Sequence, residues 1–86
     1  MMGLAALLSL PVSAEPGSAM PVKVNINQAD AQTLADALVG VGLQRANAIV
    51  KYRQTYGPFA SLDELEDVNG IGKSTIERNK AVISLE

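Results

Sequence analysis

The sequence has 86 residues, a formal net charge of −2, and neither cysteine nor histidine. That length gives room for one domain at most. The missing side chains exclude disulfides, thiolate and imidazole metal sites and the commonest general base, so the fold must rest on apolar packing. The charge is unevenly spread. From Gln44 to Ala60 the chain carries Arg45, Lys51 and Arg53 and no acid, and Lys73, Arg78 and Lys80 gather near the end, opposed there by Glu77. The acids concentrate in Asp63, Glu64, Glu66 and Asp67. A segregated surface can offer a positive face while the whole remains slightly acidic.

In chain order, Gly3 to Val12 is an apolar run that ends in Val12-Ser13-Ala14. This is the apolar core and small-residue cleavage pattern of a secretory signal, and it is too short to span a bilayer. Residues 1–14 are read as a signal peptide, although Met1-Met2 lacks the usual Lys or Arg; the alternative is an N-terminal extension of a cytosolic protein. Residues 15–21, with two prolines, a glycine and a serine, form a flexible lead-in. The folded domain is placed at 22–86.

That domain contains an internal repeat. Leu38-Val39-Gly40-Val41-Gly42 and Val68-Asn69-Gly70-Ile71-Gly72 align at a spacing of 30 residues. A first helix starts at Asn27 or Asp30, both good N-caps, with Leu34 and Leu38 on one face. A second runs from about Leu43 to Tyr56, with Ala46, Ile49, Val50 and Arg53 at helical spacing. Tyr56-Gly57-Pro58 stops it, and Phe59, the only phenylalanine, plugs the core. Ser61-Leu62-Asp63-Glu64 is a capping-box sequence opening a third helix with Leu62, Leu65 and Val68 buried. A fourth, from about Lys73, carries Ile76 toward Val82 and Ile83. No strand pattern of comparable length competes. The fold class is all-α, with roughly four or five short helices packed as pairs around a shared core.

Gly-aliphatic-Gly between two helices has a physical logic. Glycine permits the tight reversal, while Val41 or Ile71 turns inward to anchor it. Bare backbone then leaves amide N–H groups exposed at the next helix start, where the dipole favours an anion. Gln44 and Arg45 after the first hairpin, and Lys73, Ser74 and Thr75 after the second, add donors and charge. One such turn is a weak signal. Two in equivalent settings could hold both strands of a duplex, and the candidate DNA-binding residues are Gly40, Val41, Gly42, Gln44, Arg45, Gly70, Ile71, Gly72, Lys73 and Ser74.

At these hairpins the chain resembles the helix-hairpin-helix DNA-binding proteins, and closely the ComEA-type competence proteins. The resemblance runs from about Val22 to Ile83. It is carried by Val24-Asn25-Ile26-Asn27, Val39-Gly40-Val41-Gly42, Ala46 to Arg53, Tyr56-Gly57-Pro58-Phe59 and Gly70-Ile71-Gly72. It implies a compact tandem, SAM-like domain and a periplasmic receptor for incoming double-stranded DNA in natural transformation. Such a protein would bind phosphates without regard to sequence and have DNA-uptake proteins as its partners. No small-molecule substrate, cofactor, metal or membrane span after signal cleavage is implied. Two departures carry expectations. Val39 stands where many members have proline, which should loosen the first turn. Asn79 stands where the family usually has an apolar residue, which should make the last helix pack less deeply. With weak net basicity, the affinity should be roughly micromolar per domain and steeply salt-dependent.

Two other readings bear on the same residues. Helix-hairpin-helix units also occur as appendages of nucleases and ligases, but no histidine, cysteine or convincing carboxylate pair accompanies them here. A protein-docking module with the same fold is the stronger rival, favoured by the net charge and opposed by the second hairpin and Lys73-Ser74. Lys51, Arg53, Arg78 and Lys80 are weaker phosphate candidates. Arg53 could instead cover the core or pair with the acidic third helix.

Overall fold

The computed structural model describes residues 22–86, so the proposed signal peptide and lead-in lie outside the described residues. The elements are β1 (Val24–Asn25), α1 (Ala31–Ala37), α2 (Leu43–Tyr56), a 3-10 helix (Leu62–Asp67), α3 (Lys73–Asn79), a 3-10 turn (Lys80–Val82) and β2 (Ile83–Ser84). The fold is all-α apart from a two-residue parallel pairing of β1 with β2, Val24 opposite Ile83 and Asn25 opposite Ser84.

Asp30 starts α1, its carboxylate accepting the Thr33 N–H at 2.8 Å. Asn27, the other candidate cap, has a different task. Its Oδ1 accepts the Phe59 N–H at 2.7 Å, and its Nδ2 donates to the carbonyls of Phe59 and Leu85 at 3.1 and 3.2 Å. One side chain thereby ties the N-terminal turn to the segment after α2 and to the end of the chain. Asn25 prepares it by accepting the Asn27 N–H on its own Oδ1 at 2.9 Å.

Helix α2 runs from Leu43 to Tyr56 as its pattern predicts, and Gly57 at φ 99° closes it. Arg53 neither pairs with the acidic segment nor faces open solvent: its Nη1 donates to the Ile26 carbonyl at 2.9 Å. Phe59 is buried, with Tyr52 stacked on it at a centroid distance of 5.1 Å.

The third helix differs from the expected α-helix. Leu62, Leu65 and Val68 are spaced by three, and a 3-10 helix with three residues per turn lines them up on one side. Leu65 and Val68 are buried and Leu62 is half-buried. The capping box does not form as written. Ser61 makes no side-chain cap bond, and Glu64 instead accepts the Ala60 N–H at 3.0 Å. Nor does the last helix continue to Ile83. It ends at Asn79, and Ile83 turns into β2 so that Val24, Ile26 and Ile83 are buried together. Val41 and Ile71, one from each hairpin, face the same residual cavity of about 10 Å³ as Ile26, Ile49, Leu65 and Ile83. A single core thus holds both turns.

Candidate nucleic-acid interface

Both Gly-aliphatic-Gly turns share one division of labour. The first glycine of each, Gly40 at φ 79° and Gly70 at φ 94°, occupies the left-handed region that side chains enter only at a cost. The second, Gly42 at φ −73° and Gly72 at φ −105°, has backbone angles open to any residue and serves as N-cap of α2 or α3. Chain geometry therefore explains the first glycine and not the second. Around the Cβ that Gly42 or Gly72 lacks there is no atom within 4 Å.

Val41 and Ile71 are buried, so their side chains anchor the turns and cannot reach a ligand. The Ile71 N–H is also engaged, donating to the Val68 carbonyl at 3.0 Å. The helix starts are different. The first α-helical bonds are donated by Ala46 to Gly42 and by Ile76 to Gly72. The N–H groups of the preceding turn point outward without intrahelical partners. Asp30 caps α1 with its side chain, whereas neither Gly42 nor Gly72 supplies a side-chain cap. Gln44, Arg45, Lys73 and Ser74 are all exposed beside these amides.

The arginines cross between the units, an arrangement with no signal in the sequence. A Cβ on Gly70 would lie 2.9 Å from Arg45 Nε, and one on Gly40 would lie 3.0 Å from Arg78 Nη2. Arg45 therefore rests on the second hairpin, and Arg78, a weaker candidate by sequence, rests on the first. A groove of about 470 Å³ joins the two turns, lined by Gly42, Gln44, Arg45, Ala48, Asn69 and Gly70. By the 30-residue repeat, Ala48 corresponds to Arg78, and each sits against the opposite hairpin. Among the described residues one ion pair forms, Lys80 to Glu77 at 3.2 Å, and it engages neither arginine. Lys80 is thus partly compensated, and an exposed pair of this kind contributes little to stability.

Asn79 overturns both expectations attached to the sequence departures. It is 2% exposed, so α3 packs fully. Its Oδ1 accepts the Val39 N–H at 2.7 Å, and its Nδ2 donates to the carbonyls of Val39 and Thr75 at 2.9 and 2.8 Å. Valine at position 39 supplies an N–H that proline lacks, and Asn79 uses it. The first turn is held there, not loosened.

Residues 20–84 match a family model described as the helix-hairpin-helix motif. The chain belongs to the helix-hairpin-helix family. Its domain is of the ComEA type: ComE operon protein 1 of Bacillus subtilis is 36% identical over 63 residues, covering 73% of this chain and 30% of that protein. An uncharacterized protein of Haemophilus influenzae is 45% identical over 58 residues, covering 67% of this chain and 52% of that protein. The alignments thus span about half of one relative and under a third of the other.

Among the described residues no group of three or more carboxylates is placed to hold a metal ion. No described helix is long and apolar enough to cross a membrane.

Proposed function

We propose that this protein binds double-stranded DNA without sequence preference, by accepting one phosphate at each hairpin, and does no chemistry on it. The observation that carries the reading is the second glycine of each turn. Gly42 and Gly72 need no special backbone angle, and a side chain on either would meet no other part of the fold, yet each stands bare before a helix start without a side-chain cap. A backbone oxygen of DNA can approach there to hydrogen-bond distance, which a side chain would prevent. Arg45 and Arg78 beside the turns, with Lys73 at the start of α3, supply the charge that makes such binding salt-dependent.

The competence setting rests on the kinship with ComE operon protein 1. In that setting the protein acts in the periplasm, delivered by the segment read as a signal peptide, and retains incoming DNA for the uptake machinery. Phosphate contacts suit a cargo of arbitrary sequence. A gel-shift titration with random-sequence duplex at low and high salt tests the reading. Retardation at about ten micromolar protein that vanishes on adding salt is the expected result. Unchanged mobility at low salt favours a protein-docking role for the same fold. Intact Met1 on protein recovered from the cytosol, with none in the periplasm, would exclude the export step.

A further inference from the structure

The two units are not equal. At the first hairpin, the chain following the second reaches across and holds the backbone. Asn79 occupies the repeat position of Ile49, a core position, and makes three hydrogen bonds through its amide there. It grips Val39 on both its N–H and its carbonyl, and it anchors itself to its own helix through the Thr75 carbonyl. Val39 immediately precedes Gly40, so fixing both of its polar groups fixes the entry to the turn. The adjacent Arg78 lies with its guanidinium against Gly40, and no acidic partner engages it among the described residues. No hydrogen bond of this kind reaches Asn69, the counterpart of Val39, among the described residues.

We propose that Asn79 is a positioning residue for DNA binding at the first hairpin, and that it sets Arg78 there as an additional phosphate contact. Asn79 touches no ligand. It holds the backbone entering the Gly40–Gly42 turn against the helix that carries Arg78, so that one phosphate can meet both the turn and the guanidinium. The proposal rests on the DNA-binding reading above and adds to it that the first site is built from both repeats.

Asn79→Leu tests it, because an apolar residue already occupies the equivalent position in the first repeat. The substitution leaves the Val39 N–H and carbonyl without their partner, so folding is measured alongside binding. Duplex binding by the full chain is measured between about 50 and 200 mM salt, at a temperature where circular dichroism shows the variant folded. The expected result is roughly tenfold weaker binding at low salt and a salt slope shallower by about 0.9, one phosphate contact. Arg78→Ala, which leaves the core untouched, should lower the slope equally with an unchanged melting temperature. Combining it with Asn79→Leu should lower the slope no further. If Asn79→Leu fails to fold, Val39→Pro removes the N–H that donates to Asn79 and leaves the bond to the carbonyl, while also fixing φ at position 39, and should reproduce part of the loss. A folded Asn79→Leu with wild-type affinity and slope overturns the positioning role, and a wild-type slope in Arg78→Ala overturns the contact. Wild-type protein that binds no duplex overturns the DNA reading itself, a result distinct from either.

Discussion

Substituting each glycine by alanine separates what the hairpins need for folding from what they need for a ligand. At Gly40 and Gly70 the left-handed backbone costs an L-residue about 1–2 kcal/mol. Alanine recovers about 0.4–1 kcal/mol by restricting the unfolded chain, leaving a net loss of about 1 kcal/mol. The nearest atoms to the new Cβ belong to the flexible side chains of Arg78 and Arg45, which can move aside. At Gly42 and Gly72 the angles suit alanine and there is no contact within 4 Å. The same entropic gain there is offset by alanine's poorer capping, roughly 0.5 kcal/mol or more, so the net change is near zero. For a domain of this size 1 kcal/mol moves the melting temperature by about 4–8 °C. Thermal denaturation followed by circular dichroism should therefore show Gly40→Ala and Gly70→Ala melting lower by that amount, and the Gly42→Ala, Gly72→Ala double variant melting close to wild type. Binding should follow the opposite order. The double variant places a methyl group before each helix start and should lose one charge-assisted hydrogen bond per hairpin, about 1.5–3 kcal/mol each. A double variant that melts like wild type and also binds duplex as tightly would refute the reasoning, because the bare second glycines would then serve nothing.

Asn27→Ala removes three hydrogen bonds at about 1 kcal/mol each; a fall in melting temperature below about 4 °C would show that the clamp matters little. Arg45→Ala combined with Lys73→Ala should weaken duplex binding and flatten its salt slope by about 0.9 for each phosphate left without its cation, and an unaltered slope removes both from the phosphate count. The Thr33 N–H, given to Asp30, holds its carboxyl below the ordinary 3.8. A depressed carboxylate stabilises the fold above its unfolded value and loses that stabilisation as pH falls through its folded value. Melts taken below pH 4 should therefore show a shallower acid decline in Asp30→Ala than in wild type. Burial and the nearby Asp67 charge raise the Tyr52 phenol above 10.0. That stabilisation is present below the unfolded value and lost as pH rises through the folded one; ultraviolet titration should place Tyr52 above 10.0, and nearer to it in Asp67→Asn.

The elements most legible in the sequence are those whose signals are local. Helix α2 begins after Gly42 and ends before Gly57, because glycine punctuation and 3.6-residue spacing coincide there. The 3-10 helix was readable in principle, since Leu62, Leu65 and Val68 repeat every three residues with no fourth-residue step. The capping-box pattern pointed instead to an α-helix. The β1–β2 pairing was hidden because two residues per strand are too few to display alternation.

Within the candidate site the turns were visible as a repeated motif, but the partners laid on them were not. Arg45 reaches Gly70 and Arg78 reaches Gly40, approaches between units that depend on how the two repeats face each other. Asn27 and Asn79 show the same limit. Each looks like an ordinary polar residue in sequence, and each satisfies backbone groups at least 32 positions away. Position 79 had only a negative signal: a polar side chain where the repeat has Ile49 must bring its own hydrogen-bond partners if it is buried.

The most direct test of the account follows backbone amide resonances of the protein as random-sequence duplex is added at low salt. The account predicts that shifts concentrate at Gly40 to Arg45 and at Gly70 to Thr75, and that they reverse when salt is raised. Resonances that stay in place around both turns, or move only along the acidic Asp63–Asp67 segment, would contradict it.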